Sequence, residues 1–372
     1  LPPVRIAITH PYSWPEVRRG AERIIVETSR ALADRGHDVT VFTSGSSAGR
    51  VTEGGVLTVT YRRQFDDPFR HERWFGWRVL PDLVLHRYDA VHSMMPHDCC
   101  AAMAASRVRH HRTLYDEMGN PFGDKVRQRK DGRARQRVIA GVDVYACMSE
   151  FSRGLLRRDW HREGAIVPGG VATGEFQPLP RSDAPTILFS GAIDRPEKHV
   201  PLLLDAVALL AGERPDVRLQ LSGPGDPSPL LAAAPAAARE RTDVLGLGDA
   251  DGQSARYATA WSTCLPTTTD SFGLVLLESL AAGTPIVVGN DGAPPALVQP
   301  GIGAACREMT ADDLAAALAT GLDLAADPET AARCRAVALE YDWDQAIAPI
   351  LEGLYAGTER DQPAVGGDHA AR

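Results

Sequence analysis

Short apolar runs of strand length alternate with longer runs of helical period along almost the whole chain, and no other feature narrows the choice of fold as far. Val4–Thr9 (VRIAIT) reads as a buried strand, and after a loop ending at Gly20 a periodic helix spans Ala21–Arg35, with Gly36 terminating it. Val39–Thr43 is the next strand, which completes a βαβ unit. The pattern continues with strand Ala90–His92, a helix near Asp98–Arg107, strand Thr113–Tyr115, helix Lys125–Ile139 and strand Val142–Cys147. Pro178, Pro180 and Pro185, with Ser182 and Asp183 among them, interrupt it as a linker. A second series follows, with strands Thr186–Ser190, Arg218–Ser222, Thr263–Leu265 and Ile286–Val288 and helices such as Val200–Ala211 and Gly273–Ala282. Such alternation implies the α/β class, with parallel sheets covered by helices. The chain is expected to form two doubly wound domains, 1–180 and 181–340, with a disordered tail over 357–372.

Ligands of open parallel sheets bind beyond the carboxyl ends of the strands, so two such domains facing each other would enclose a cleft. A length of 372 residues suits two domains of ordinary size. The net charge of −8 hides an asymmetry: up to residue 185 there are 28 basic and 22 acidic residues, and beyond it 12 and 26. A basic first half suits phosphates, an anionic acceptor or a membrane surface, whereas the acidic second half argues against nucleic-acid binding. The six cysteines show no CxxC pair and no disulfide spacing, so reduced thiols in a cytoplasmic protein are expected. No run approaches a membrane span, and Val4–Thr9 is too short for a signal-peptide core.

The segment Asp270–Pro285 (DSFGLVLLESLAAGTP) carries the most chemistry. Asp270 lies in a strand-to-helix loop and Glu278 inside the helix, with Ser271, Phe272, Gly273 and Leu274 at its start. Free N–H groups and the positive dipole end of a helix favour a phosphate there. Carboxylates on either side can accept hydroxyls of a sugar and a ribose. The plainer alternative is that Asp270 caps the helix and Glu278 is a solvated helix residue.

This segment resembles the E-x7-E signature of retaining glycosyltransferases of the GT-B fold, family four, with Asp270 in place of the first glutamate. The resemblance implies two Rossmann-like domains facing a central cleft. It also implies that Asp270 contacts donor-sugar hydroxyls and that Glu278 binds the nucleotide ribose. Ser190–Lys198 (SGAIDRPEK) resembles the family's G-R-L-x-x-x-K-G segment, so Gly191 lies against the donor and Lys198 holds the diphosphate. Ala192 stands where the family has arginine, and Arg195 is the substitute. Arg18–Arg23 (RRGAER) resembles G-G-A-E-R, in which Gly20 opens a helix toward the donor. Gly223 in LSGPG and Gly248 in GLG fall where the family lines the nucleotide and its base. Cys147–Glu150, Pro168–Val171 with Phe176, and Tyr341–Trp343 with Leu354–Tyr355 resemble further segments of the family. The last of these is the closing helix, about 341–356, which returns to the first domain.

The first domain departs most from the family pattern. Where many relatives carry a histidine, the run is Tyr115-Asp116-Glu117-Met118, so Asp116 takes that position as the third catalytic candidate beside Asp270 and Lys198. A carboxylate there suits proton acceptance from an acceptor hydroxyl, or recognition of a cationic acceptor. Glu117, His97 and Asp98 are further acceptor-side candidates, with His92 close by on the preceding strand. Lys125–Arg137 holds seven basic residues in thirteen. It reads as a solvated helix face, or else as an acceptor-phosphate or anionic-lipid face helped by Trp74, Phe75 and Trp77.

The resemblance implies a retaining transfer of a sugar from a UDP- or GDP-linked donor by front-face substitution, with no metal and no cofactor beyond the nucleotide-sugar co-substrate. The acceptor is a hydroxyl of a small molecule, glycan or lipid. Two rivals share the fold: a nucleotide-sugar 2-epimerase, and a non-catalytic nucleotide-sugar-binding protein.

Overall fold

The computed structural model of the chain describes residues 2–17, 19–248 and 250–357. It divides into two compact units: one runs to Gly169 and resumes at Trp343, and the other spans Gly170–Asp342.

The first unit is built on an eight-stranded sheet: β1 (Arg5–Thr9), β2 (Asp38–Gly45), β3 (Gly49–Glu53), β4 (Val56–Arg62), β5 (Ala90–Ser93), β6 (Arg112–Glu117), β7 (Val144–Cys147) and β8 (Ala165–Ile166). Their spatial order is β3-β4-β2-β1-β5-β6-β7-β8, and every pairing is parallel except β3 with β4. Ile6, Ala7 and Ile8 are fully buried because helices cover both faces of the central strands. One core gathers Phe42, Tyr61, Phe75, Val79, Leu83 and Val91 under the Pro68–Leu85 and Pro96–Arg109 helices. A second gathers Tyr115, Val138, Tyr145 and Leu156. The chain adds strands to one side of β1 and then crosses to β5 on the other, so the order reverses between β1 and β5.

The second unit carries six strands: β9 (Thr186–Ser190), β10 (Arg218–Ser222), β11 (Thr242–Gly246), β12 (Ser262–Leu265), β13 (Ile286–Val288) and β14 (Gly303–Ala305). They lie in the order β11-β10-β9-β12-β13-β14, all parallel. Here the reversal falls between β9 and β12. In a doubly wound sheet such a point splays the two adjoining loops apart and opens a crevice at the carboxyl edge.

Three expectations are corrected. The units divide at Gly169/Gly170 and not at the proline-rich 178–185 segment. Val171 bridges to Asp342, the Thr173 hydroxyl donates to Asp342 at 2.6 Å, and Phe176 packs edge-on against Tyr257, so this stretch is bound to the second unit. The single helix over Lys125–Ile139 is two, Gly123–Gln128 and Gly132–Gly141. Arg129 turns extended, and the Asp131 carboxylate collects both Arg129 (3.0 Å) and Arg135 (2.8 Å), a geometry a continuous helix would not allow. Of the three aromatics at 74–77, Phe75 is core and Trp74 packs against it, while Trp77 is 72 % exposed. The tail expected over 357–372 lies, beyond Gly357, outside the described residues.

Trp343 begins the return to the first unit as a π-turn, followed by the Ala348–Ala356 helix that left-handed Gly357 ends. Glu352 fixes it, accepting from Arg35 Nε at 2.7 Å and from Arg35 Nη2 and His37 Nε2 at 2.9 Å each. The Arg35 bond, opposed by burial and helped by His37, takes the Glu352 carboxyl from 4.5 down to about 2. A depressed folded-state pKa adds stability above the ordinary carboxylate value that is lost as pH falls toward 2. Glu352→Gln is therefore expected to cost about 1.5–3 kcal/mol at pH 7 in denaturant unfolding, with the gap from the unsubstituted chain closing between pH 4.5 and 2. Equal stability of the two chains at pH 7 would show that the tether contributes nothing.

Candidate functional site

In the second unit the loop leaving β9 and the loop leaving β12 meet at the reversal of strand order. The first runs from Gly191 through a short 3-10 turn at Pro196–Lys198 to left-handed His199 and the Val200–Glu213 helix. The second runs through Thr267 and Asp270 to the Leu274–Ala281 helix. Lys198 Nζ donates to Asp270 Oδ2 at 2.5 Å, the Thr267 hydroxyl donates to Glu197 O at 2.9 Å, and His199 Nε2 lies 3.1 Å from Thr268 Oγ1. Two residues singled out by different motifs thus form one ion pair, each side chain about one-fifth exposed.

The helix after Asp270 starts one residue later than the motif suggests. Gly273 is its N-cap at φ +96°, a left-handed conformation that glycine adopts without strain. The Phe272 amide points to Asp270 Oδ1 at 3.4 Å, and the Phe272 ring packs on Tyr341. No side chain caps the helix, so its first-turn N–H groups carry the dipole's positive end uncompensated. Ser271 is half-buried beside them.

Glu278 joins the same crevice through residues that the motifs did not reveal. It neighbours Tyr257, which burial first and then the charge of Glu278 push well above the ordinary phenol range. The Tyr257 hydroxyl donates to Ser190 Oγ at 3.0 Å, at the carboxyl end of β9. Gln253 Nε2 also donates to Ser190 Oγ, the Ser222 hydroxyl donates to Gln253 Oε1, and Arg256 Nη1 donates to Ser222 at 2.8 Å. Tyr257 and Gln253 fall in no motif, so no spacing in the sequence announces them, while Ser190 opens the Ser190–Lys198 segment.

The glycines of this unit serve close approach. Gly191 N donates to Ser222 O at 2.9 Å and Ile193 N to Pro224 O at 2.8 Å, interlocking the loops after β9 and β10. A Cβ on Gly223, at φ +139°, would fall 1.9 Å from Gly191 O. Gly248 leaves room for the Arg256 guanidinium, which bonds Gly246 O and Leu245 O. Arg195 is exposed on the loop.

In the first unit Gly20 opens the Gly20–Asp34 helix with no side-chain cap. Arg19, standing in for the family's glycine, turns its guanidinium onto Glu22 and over the Tyr12 ring. Glu22 also accepts from His10 at 3.1 Å, and these bonds overcome burial to take its carboxyl down to about 2. Burial pushes His10 below its ordinary value, so the contact is a neutral imidazole N–H given to a carboxylate.

The acceptor-side candidates separate. Asp116 lies on β6 with Oδ2 at 3.7 Å from His92 Nε2 of β5, both side chains almost wholly buried. Glu117 points to the opposite face, as the next residue of a strand must. There it accepts from Arg135, Tyr145 and the Gly119 amide, so its oxygens are taken up inside the unit. Asp98 receives the Thr9 hydroxyl at 2.8 Å, and burial drives its carboxyl well above its ordinary value. His97 faces away, into a groove of about 860 Å³ between the Pro68–Leu85, Pro96–Arg109 and Gly123–Gly141 segments. That groove has an apolar floor of Leu80, Ala101 and Ala104 beside Phe69 and Trp77, and is rimmed by Arg73, Arg127, Arg129, Lys130, Arg133 and Arg137. Asp131 is the one acid on its lining and is held by Arg129 and Arg135.

Two doubly wound units, with a cation, two carboxylates and an uncapped helix end at a topological switch point, define the class as a glycosyltransferase of the GT-B fold. The family model described as Glycosyltransferase Family 4 matches residues 18–175 and the one described as Glycosyl transferases group 1 matches residues 184–323, so the chain belongs to glycosyltransferase family four. The phosphatidyl-myo-inositol mannosyltransferase of Mycobacterium tuberculosis is 26% identical over 94% of this chain and 96% of its own length. Among solved structures, sucrose-phosphate synthase from Thermosynechococcus elongatus superposes with a TM-score of 0.79 at 18% identity, covering 95% of this chain and 99% of that one. HepE of Anabaena, solved in complex with UDP-glucose, superposes with a TM-score of 0.75 at 15% identity over 95% and 100% of the two chains.

Gly223→Ala should destabilise the second unit by about 3 kcal/mol, because the methyl group has no space and the backbone angle disfavours it. A melting temperature equal to that of the unsubstituted chain would disprove the interlock of the β9 and β10 loops.

Proposed function

We propose that the protein is a retaining, metal-independent hexosyltransferase that moves a sugar from a UDP- or GDP-linked donor to an acceptor hydroxyl in the cytoplasm. The observation that carries this reading is the Lys198–Asp270 pair at the mouth of the β9/β12 crevice, next to the uncapped Leu274–Ala281 helix. A diphosphate entering there exchanges the Asp270 contact of Lys198 for its own oxygens and lies against the helix end. Both groups then stabilise charge that grows as the glycosidic bond breaks. Asp270, released, accepts hydroxyls of the sugar, while Glu278 accepts those of the ribose. Gly191, Arg195, Gly223, Gly248 and Ser271 complete the donor surface of the second unit, and in the first unit Asp116 serves the acceptor. The UDP-glucose bound by HepE supports a UDP-linked donor, and the mycobacterial relative's name supports a lipid or polyol acceptor.

Lys198→Ala and Glu278→Ala should each lower kcat/KM roughly 10- to 150-fold, the equivalent of about 1.5–3 kcal/mol for a charge-assisted contact, with the fold retained and only Lys198→Ala lowering the melting temperature, since it leaves Asp270 without its cation. The assay follows nucleotide release from UDP-glucose and GDP-mannose with inositol or phosphatidylinositol as acceptor. Undiminished rates in both variants would remove the site. Conversion of either donor with no acceptor present would point to epimerisation instead.

The groove of the first unit supports peripheral contact with an anionic membrane. No helix among the described residues is long and apolar enough to cross a bilayer, but six exposed cations around an apolar floor match anionic headgroups over acyl chains. The protein should float with phosphatidylglycerol vesicles and not with phosphatidylcholine ones, and Arg133→Glu with Arg137→Glu should abolish flotation. Equal partition onto both lipids, or an unaffected double variant, would refute this contact.

A further inference from the structure

We infer that His92 is a positioning residue for Asp116, set in one tautomer by Tyr355 of the closing helix. This rests on the reading of Asp116 as the acceptor-side carboxylate and extends it to two residues buried behind that group.

Tyr355 reaches His92 from the far end of the chain, its hydroxyl 2.8 Å from His92 Nδ1 in a fully enclosed contact. The other ring nitrogen, Nε2, faces Asp116 Oδ2 at 3.7 Å. A phenol has one hydrogen to give, and His92 Nδ1 is the hydrogen-bond partner of this hydroxyl among the described residues. Were the ring proton on Nδ1, it would meet the phenol oxygen and strand the phenol hydrogen. The lone pair of Nε2 would then be turned on a carboxylate. With the proton on Nε2 both contacts become attractive, so each end of the ring selects the same tautomer. Burial, with the charge of Asp116 second, pushes the Tyr355 phenol well above its ordinary range, which keeps the hydrogen in place.

His92 Nε2 and Asp116 Oδ1 have no hydrogen-bond partner, although their side chains are 1% and 5% exposed. A separation of 3.7 Å is a charge contact and not yet a hydrogen bond, and such contacts commonly tighten when substrate binds. Anchoring Oδ2 through Nε2–H fixes the carboxylate plane and leaves Oδ1 for an acceptor hydroxyl. Where relatives place a histidine, this chain therefore uses a carboxylate steadied by a histidine on the adjacent strand.

The test combines ¹⁵N-histidine NMR with turnover from UDP-glucose and GDP-mannose to phosphatidylinositol. The His92 signals are those missing from His92→Gln. The unsubstituted protein should show His92 as the Nε2–H tautomer, and Tyr355→Phe, which keeps the ring and removes only the hydroxyl, should show mixed tautomers. In turnover, Tyr355→Phe should lower kcat about tenfold with donor KM unchanged, and Asp116→Asn about 100-fold or more. His92→Gln, whose amide N–H occupies the Nε2 site, should retain more activity than His92→Asn. An Nδ1–H tautomer in the unsubstituted protein, or an unmoved imidazole spectrum in Tyr355→Phe, overturns the positioning alone. Full turnover in Asp116→Asn overturns the Asp116 reading and the role of His92 with it. Equal activity of the Gln and Asn variants means that the ring does no more than fill space.

Discussion

A parallel strand hands its chain to a loop at the carboxyl edge, and where strand order reverses, neighbouring loops leave in opposite directions. In the second unit that reversal lies between β9 and β12, and the rest of the candidate site depends on it. It sets the 3-10 turn of Lys198 against Asp270, brings an uncapped helix end beside them, and turns Ser190 toward Tyr257 and Glu278. Were β12 to follow β11 at the edge of the sheet, the same residues would lie several strands apart and their charges would have no common ligand. The ion pair is also what keeps the crevice tolerable: a lone ammonium or carboxylate among half-buried neighbours is costly, and each offsets the other.

The first unit repeats the arrangement with a different charge balance. Its reversal, between β1 and β5, gathers Thr9, Ser93, His92 and Asp98, and β6 adds Asp116. Burial raises the Asp98 carboxyl well above its ordinary value, and Arg135 absorbs Glu117. Asp116 keeps an oxygen with no hydrogen-bond partner among the described residues. The closing helix contributes twice here, through Glu352 to Arg35 and through Tyr355 to His92, which ties it to these side chains as well as to the core.

Much of this was legible in the chain. Parallel strands buried on both faces are continuously apolar, and β1, β9 and β13 announce themselves in that way. Lys198 and Asp270 were legible because each stands a fixed distance beyond such a strand. The β3–β4 pair was missed because its residues are half exposed and follow neither a continuous nor an alternating pattern. The Pro68–Leu85 helix was missed although Asp67-Pro68 is a good start signal, since Gly76 and Pro81 inside it argue for a loop. Gly76 is tolerated because the His97 carbonyl passes where a side chain would be. The break at Arg129–Asp131 was invisible because seven basic residues at helical spacing conceal one acid that binds two of them.

The sequence by itself determined the two α/β units and the places of Lys198 and Asp270 in the loops beyond their strands, because strand burial and short-range spacing are local properties written in residue order. Which polar groups are charged, which are spent and which face a ligand was decided only by the tertiary structure. Asp98, Asp116 and Glu117 are all plain carboxylates in the sequence, and Tyr355 and His92 lie 263 positions apart. Their electrostatic fates depend on desolvation and on partners contributed by distant strands, and those terms exist only once the sheet has assembled.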